Sequence, residues 1–321
     1  MLVPVLLIAV GFMLLINGAD FLVDGSSNIA KRFHIPEIII GLTIVSIGTS
    51  MPELFVSVTS ALEGYSDMSL GNVIGSNLCN LLLILGLSTV IKPIKFQRQT
   101  RLIEIPMCLA ITILFTIFCN TEGTITRLEA GILIALFVAF IAYTIYMGIK
   151  GEKLNKKEEM SESAEGNSRK VSSFLKDIFL VVIGIAALKI GGDLTVDNAL
   201  IVARHFSISE KIIGLTIVAL GTSLPELVTS VMAAIKGNSD IAIGNIIGSN
   251  IFNILLIVGV ASLIKPITYN YTYNMQLSIL VLSTIVLLVF PMIPPRNRMS
   301  KANGSVYLAM YMAYLFILLK V

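Results

Sequence analysis

One 53-residue segment occurs twice in this chain, and that duplication restricts its fold more than any other feature. Gly41–Pro93 reads GLTIVSIGTSMPELFVSVTSALEGYSDMSLGNVIGSNLCNLLLILGLSTVIKP, and Gly214–Pro266 reads GLTIVALGTSLPELVTSVMAAIKGNSDIAIGNIIGSNIFNILLIVGVASLIKP. The copies align without a gap at a constant offset of 173 residues, with 31 of 53 positions identical. Each holds a carboxylate, Glu53 or Glu226, inside an otherwise apolar run. An ionisable group in such a run is costly, so finding it twice in one context points to a task rather than to packing.

The setting of the repeat is a bilayer. Only 13% of the 321 residues are charged and 55% are hydrophobic, whereas soluble chains carry roughly a quarter charged residues. Several windows exceed the ~18 apolar residues that cross a membrane. Hydropathy gives ten candidate spans, at about 2–30, 37–62, 69–91, 102–119, 128–148, 174–203, 210–235, 242–264, 273–291 and 305–320. The first begins at Leu2 with no basic segment before it, so it reads as a retained helix.

The repeat extends beyond its strongest part. At the same offset GADFLVDG (Gly18–Gly25) faces GGDLTVDN (Gly191–Asn198), so the repeated unit is five spans. The chain divides into a first repeat, 1–149, a polar linker, 150–173, and a second repeat, 174–321. Because five is odd, the second unit enters the membrane upside down relative to the first. The predicted fold is an all-α integral membrane protein of ten helices in two inverted five-helix repeats. Inverted repeats are typical of secondary transporters, whose sites lie at the repeat interface near the midplane. With the N-terminus outside, the inner segments hold seventeen Lys and Arg against five in the outer ones. The positive-inside rule therefore puts both termini outside the cell membrane and the linker in the cytoplasm.

Each copy carries two polar motifs. In GTSMPEL (Gly48–Leu54), Pro52 has no N–H and clashes with the carbonyl of Gly48. The second span should break around Thr49 and Ser50, and the seventh around Thr222 and Ser223, before Pro225. Freed carbonyls at membrane depth must line a polar cavity. They join the Thr49, Ser50, Thr222 and Ser223 hydroxyls and the Glu53 and Glu226 carboxylates as hard oxygen ligands. In GNVIGSNLCN (Gly71–Asn80), Ser76 and Asn80 are four apart and share a helix face. Asn72 lies near that face, and Asn77 points elsewhere. The second copy supplies Ser249 and Asn253, so the set reaches six or more oxygens with two carboxylates, which suits Ca²⁺ or Na⁺.

Other chemistries find less support. Cys79, Cys108 and Cys119 sit in or beside apolar spans without metal-ligand spacing. The basic residues form no stripe for nucleic acid. A membrane-embedded hydrolase would need a nucleophile paired with a base or metal, and none accompanies the motifs. Asp67 and Asp240 stand in turns where helix capping suffices. Asp20, Asp24, Asp193 and Asp197 form i, i+4 pairs. Lys189 breaks the repeat, its counterpart being Ile16.

At these motifs the sequence resembles the cation/calcium antiporter superfamily, in particular its sodium/calcium exchanger branch. Both copies carry that branch's G-[ST]-S-x-P-E signature and its G-N-x-x-G-S-N run. The resemblance implies exchange of Na⁺ for Ca²⁺ by alternating access, at about three Na⁺ per Ca²⁺, with the first and sixth helices sliding across the core. It implies an ion site of Glu53, Thr49, Ser50, Ser76 and Asn80 with Glu226, Thr222, Ser223, Ser249 and Asn253. Backbone carbonyls at Ser46 and Ala219 are implied as well. Ca²⁺ and Na⁺ are then substrates in a lipid bilayer, with no cofactor and no obligate protein partner. Exchange of Ca²⁺ for H⁺ is the alternative, since two glutamates also accept protons. Two features depart from the family. Some members carry Asp at one of the positions of Asn80 and Asn253, which speaks here against potassium dependence. The linker also leaves no room for the calcium-sensing domains of animal exchangers.

Overall fold

The computed structural model describes residues 2–159, 167–206, 219–294 and 296–320. The start of the seventh candidate span and the middle of the linker lie outside these. The described residues are almost wholly helical. In chain order the helices are α1 (Leu2–Arg32), α2 (Glu37–Thr49), α3 (Met51–Glu63), α4 (Ser66–Ile91), α5 (Thr100–Thr121) and α6 (Arg127–Glu159). They continue with α7 (Asn167–His205), α8 (Ala219–Gly221), α9 (Leu224–Lys236), α10 (Ser239–Ile264), α11 (Tyr271–Met292) and α12 (Lys301–Lys320). Among the described residues, six are long and apolar enough to cross a membrane, or seven if α2 and α3, which meet at a 50° bend, form one span.

Two short antiparallel pairings tie the halves together. Ile94–Lys95 pairs with Arg298–Met299, and Thr124–Ile125 with Ile267–Thr268. Ile94 and Ile267 are repeat equivalents, while their partner strands Thr124–Ile125 and Arg298–Met299 correspond at an offset of 174, one residue out of step with the repeat.

Packing follows small residues. Gly11, Gly18 and Gly25 recur every seven residues along α1 and meet α7 at Gly191, Gly184 and Asp177 in turn, so the two helices run antiparallel. A Cβ on Gly18 would sit 2.9 Å from the Gly184 carbonyl oxygen, and one on Gly184 would sit 2.7 Å from the Gly18 carbonyl oxygen. Backbones approach this closely only through glycine. The α4 and α10 helices form the centre, and their apolar faces lead the larger buried cluster with Leu78, Leu81, Ile247 and Ile251. Outward residues such as Leu2, Leu128 and Val138 are 73%, 77% and 62% exposed. That apolar exterior suits hydrocarbon, in which helices satisfy their own backbone.

Candidate ion site

The polar residues of both motifs converge on the buried centre. At the α2–α3 bend Ser50 leaves helical geometry (φ −86°, ψ 9°), and Ser223 does the same before α9 (φ −88°, ψ 5°). Each break lies two residues before a proline, Pro52 or Pro225, that opens the next helix. Glu53 and Glu226 therefore occupy the first turn of α3 and α9, where the aligned peptide N–H groups favour negative charge. Both carboxylates are 1% exposed.

Hydrogen bonds across the centre come in repeat-related pairs. The Ser50 hydroxyl donates to Glu226 Oε1 at 2.7 Å, and the Ser223 hydroxyl donates to Glu53 Oε1 at 3.3 Å. Thr49 donates to Asn245 at 3.1 Å, and Thr222 donates to Asn72 at 3.3 Å. Asn72 donates to Ser57, and Asn245 to Ser230, each at 2.9 Å. Asn80 donates to Asn250 Oδ1 at 3.0 Å, and Asn253 donates to Asn77 Oδ1 at 2.9 Å. Each of these bonds has a mate in which the copies exchange roles, the self-complementary pattern of a two-fold interface. The serines beside the asparagines break it. Ser76 reaches Glu53 Oε1 at 3.5 Å, whereas Ser249 is joined to Ser50 at 2.9 Å.

Among the carboxylates and amides of the two motifs, four buried oxygens have no hydrogen-bond partner: Glu53 Oε2, Glu226 Oε2, Asn80 Oδ1 and Asn253 Oδ1. They too form two repeat-related pairs. A buried acceptor without a partner carries a desolvation cost of about 1–3 kcal/mol, more if charged. A cation among these oxygens would offset it. Asn80 and Asn253 both stand in π-helical turns, Cys79–Ile84 and Asn253–Val258, a distortion often found at functional sites.

The hydrogen bonds fall into three sets: Glu226 with Ser50, Ser249 and, through the Ser46 carbonyl, Thr49; Glu53 with Ser223, Ser76 and, through Asn72, Thr222; and Asn80 and Asn253 with Asn250 and Asn77. The Ser46 carbonyl accepts from Ser50 N at 3.0 Å and from Thr49 Oγ1 at 3.4 Å. Ala219 begins α8, three residues before Thr222.

Sequence reasoning undervalued Asn77 and Asn250. Asn77 does lie off the Ser76–Asn80 face, but it is fully buried and holds Asn253 from the opposite helix. Ser57 and Ser230 were missed, although both are identical between copies and fully buried. Capping by the two aspartates is not what the structure shows. Asp67 and Asp240 stand inside the first turns of α4 and α10, which have no side-chain cap, and Asp240 accepts from Gln97. Lys189 pairs with Asp193 on its own helix.

Comparison with known proteins places this geometry among relatives. A family profile described as sodium/calcium exchanger protein matches residues 3–146 and 176–320. A putative antiporter, CaxA, of Alkalimonas amylolytica is 35% identical over 99% of both chains. The sodium/calcium exchanger MaX1 of Methanosarcina acetivorans is 33% identical over 98% of this chain and 97% of its own. Among solved structures, the sodium-calcium exchanger NCX_Mj soaked with zero Na⁺ and Ca²⁺ superposes with a TM-score of 0.84. It is 31% identical, with 99% of each chain covered.

Proposed function

This chain belongs to the sodium/calcium exchanger family, and we propose that it exchanges about three Na⁺ for one Ca²⁺ by alternating access through a single site built from both repeats. It is a multi-pass membrane protein and a cation/Ca²⁺ antiporter rather than an enzyme. Na⁺ and Ca²⁺ are its transported substrates, and exchange in this family uses no cofactor.

The observation that carries the site assignment is the set of four donorless oxygens, Glu53 Oε2, Glu226 Oε2, Asn80 Oδ1 and Asn253 Oδ1. Ca²⁺ takes six to eight oxygens in flexible geometry. In this reading Ser76, Ser249, Thr49, Thr222, Ser50 and Ser223, with the backbone carbonyls of Ser46 and Ala219, supply the rest as one or other ion occupies the site. Two ionised glutamates neutralise one Ca²⁺, whereas three Na⁺ leave a net positive charge. Both ions need the same carboxylates, so they compete. Each cycle then moves one charge, worth ~2.3 kcal/mol per 100 mV.

The proposed architecture is ten helices in two inverted halves, 1–149 and 174–321, with broken second and seventh spans, external termini and a cytoplasmic linker at 150–173. The antiparallel packing of the repeat-equivalent α1 and α7, and the exchange symmetry of the hydrogen bonds, support it.

Purified protein in liposomes loaded with Na⁺, or with a matched buffer at lower internal pH, provides the test. Ca²⁺ uptake driven by outward Na⁺ at equal pH supports the proposal. Uptake driven by outward protons and indifferent to Na⁺ replaces it with Ca²⁺/H⁺ exchange, a reading that the two buried carboxylates also accommodate.

A further inference from the structure

The two ends of the duplicated site are closed differently. At one end α1 lies along α9, and Lys236, the last residue of α9, reaches across to it. Its Nζ lies 2.5 Å from Asp20 Oδ1 and 2.6 Å from Asp24 Oδ1, and it donates to the Asp20 carbonyl at 3.3 Å. At the other end the repeat puts Asp193 and Asp197 on α7 in place of Asp20 and Asp24, and Glu63 on α3 in place of Lys236. On α7 itself Lys189 holds Asp193.

Between the start of α3 and the middle of α7 lies a cavity of about 270 Å³ lined by Pro52, Phe55, Val182, Ile185 and Lys189. Deep in the site, Thr49 and Asn245 on the Lys236 side are 1% and 0% exposed, whereas Thr222 and Asn72 on the Glu63 side are partly exposed. Two halves of one repeat are thus held in unequal arrangements, tight where a lysine bridges two helices and loose where a glutamate takes its place.

We propose that Lys236 is a latch that holds the Lys236 end of the site shut, and that Lys189 sets the opposing side of the same equilibrium. When α1 leaves α9 and α7 closes on α3, Asp193, Asp197 and Glu63 draw together. Lys189 brings a cation to that cluster, so it makes the second state accessible. The two lysines, both departures from repeat symmetry, tune how the exchanger divides its time between states that an exact duplication would populate equally. A pair of partly exposed ion pairs of this kind shifts such an equilibrium by about tenfold.

This inference rests on the alternating-access reading, and the experiment separates the two. Hydrogen–deuterium exchange on the full chain in nanodiscs compares wild type with Lys236→Gln, Lys236→Arg and Lys189→Gln. Lys236→Gln should speed exchange about tenfold at the α1–α9 contact and, in the same sample, slow it at the α3–α7 end. Lys236→Arg should retain the wild-type pattern, and Lys189→Gln should protect the α1–α9 contact further. Faster exchange at α1–α9 without reciprocal protection at α3–α7 would mean a merely structural ion pair and would overturn the proposal, as would an unchanged pattern. Na⁺-driven Ca²⁺ uptake by the wild type is measured separately, so failure of the exchange reading is seen independently of the latch.

Discussion

Ser50 and Glu226, separated by 176 residues in the chain, share a 2.7 Å hydrogen bond in the buried centre of the protein. Ser223 and Glu53 repeat the contact with the copies exchanged. Each carboxylate is thus held by a serine of the other repeat copy. Ser50→Ala and Ser223→Ala should each raise the Ca²⁺ concentration for half-maximal uptake by about tenfold or more, since a hydrogen bond to a charged group contributes about 1.5–3 kcal/mol. Initial rates across a Ca²⁺ series measure this. Loss in only one of the two variants would show that the halves contribute unequally.

Asn77 holds Asn253 and Asn250 holds Asn80. Replacing Asn77 by Leu leaves the Asn253 amide without its acceptor in a buried site, at about 1–3 kcal/mol. Asn77→Leu should therefore lower the thermal midpoint in detergent and weaken Ca²⁺ binding together. A variant as stable as wild type would remove Asn77 from the scaffold of the site.

A third carboxylate changes the charge balance directly. Asn80→Asp adds a negative charge among oxygens that already include Glu53 and Glu226, and nearby charges interact strongly where water is scarce. Ca²⁺ should bind severalfold more tightly, and Na⁺ should displace it less readily. Equilibrium binding with Na⁺ competition reads both effects, and weaker Ca²⁺ binding would place Asn80 outside the ion's coordination.

The α1–α7 contact is testable through glycine. A side chain at Gly18 would meet the Gly184 carbonyl and the Leu188 amide, whereas one at Gly131 would meet nothing within 4 Å. Gly18→Leu should destabilise the protein by about 1–3 kcal/mol through overpacking and abolish uptake. Gly131→Leu should leave both intact. Equal behaviour of the two in thermal melts and transport would contradict the close packing described above.

Much of this was legible in the sequence because duplication turns one motif into two constraints. Glu53 and Glu226, the prolines behind them and the Ser76–Asn80 spacing carry their chemistry on their own helix, so local rules find them. Asn77 is different. It faces away from the carboxylates on its own helix and matters only because α10 crosses close by, with Asn250 and Asn253 opposite. Ser57 and Ser230 serve as acceptors for Asn72 and Asn245, fifteen residues on, across a helix-to-helix packing that no spacing rule encodes. The partners of Lys236 are equally remote, Asp24 lying 212 residues away. Relations that depend on which helices touch become visible only in three dimensions.

The central claim is that Glu53 and Glu226 form one Ca²⁺ site rather than two. Equilibrium binding of ⁴⁵Ca²⁺ to the purified protein, with Na⁺ as competitor, tests it most directly. One Ca²⁺ per chain, displaced by Na⁺ and lost in Glu53→Gln and Glu226→Gln alike, is the predicted result. Two Ca²⁺ per chain, or wild-type affinity surviving either single substitution, would contradict it.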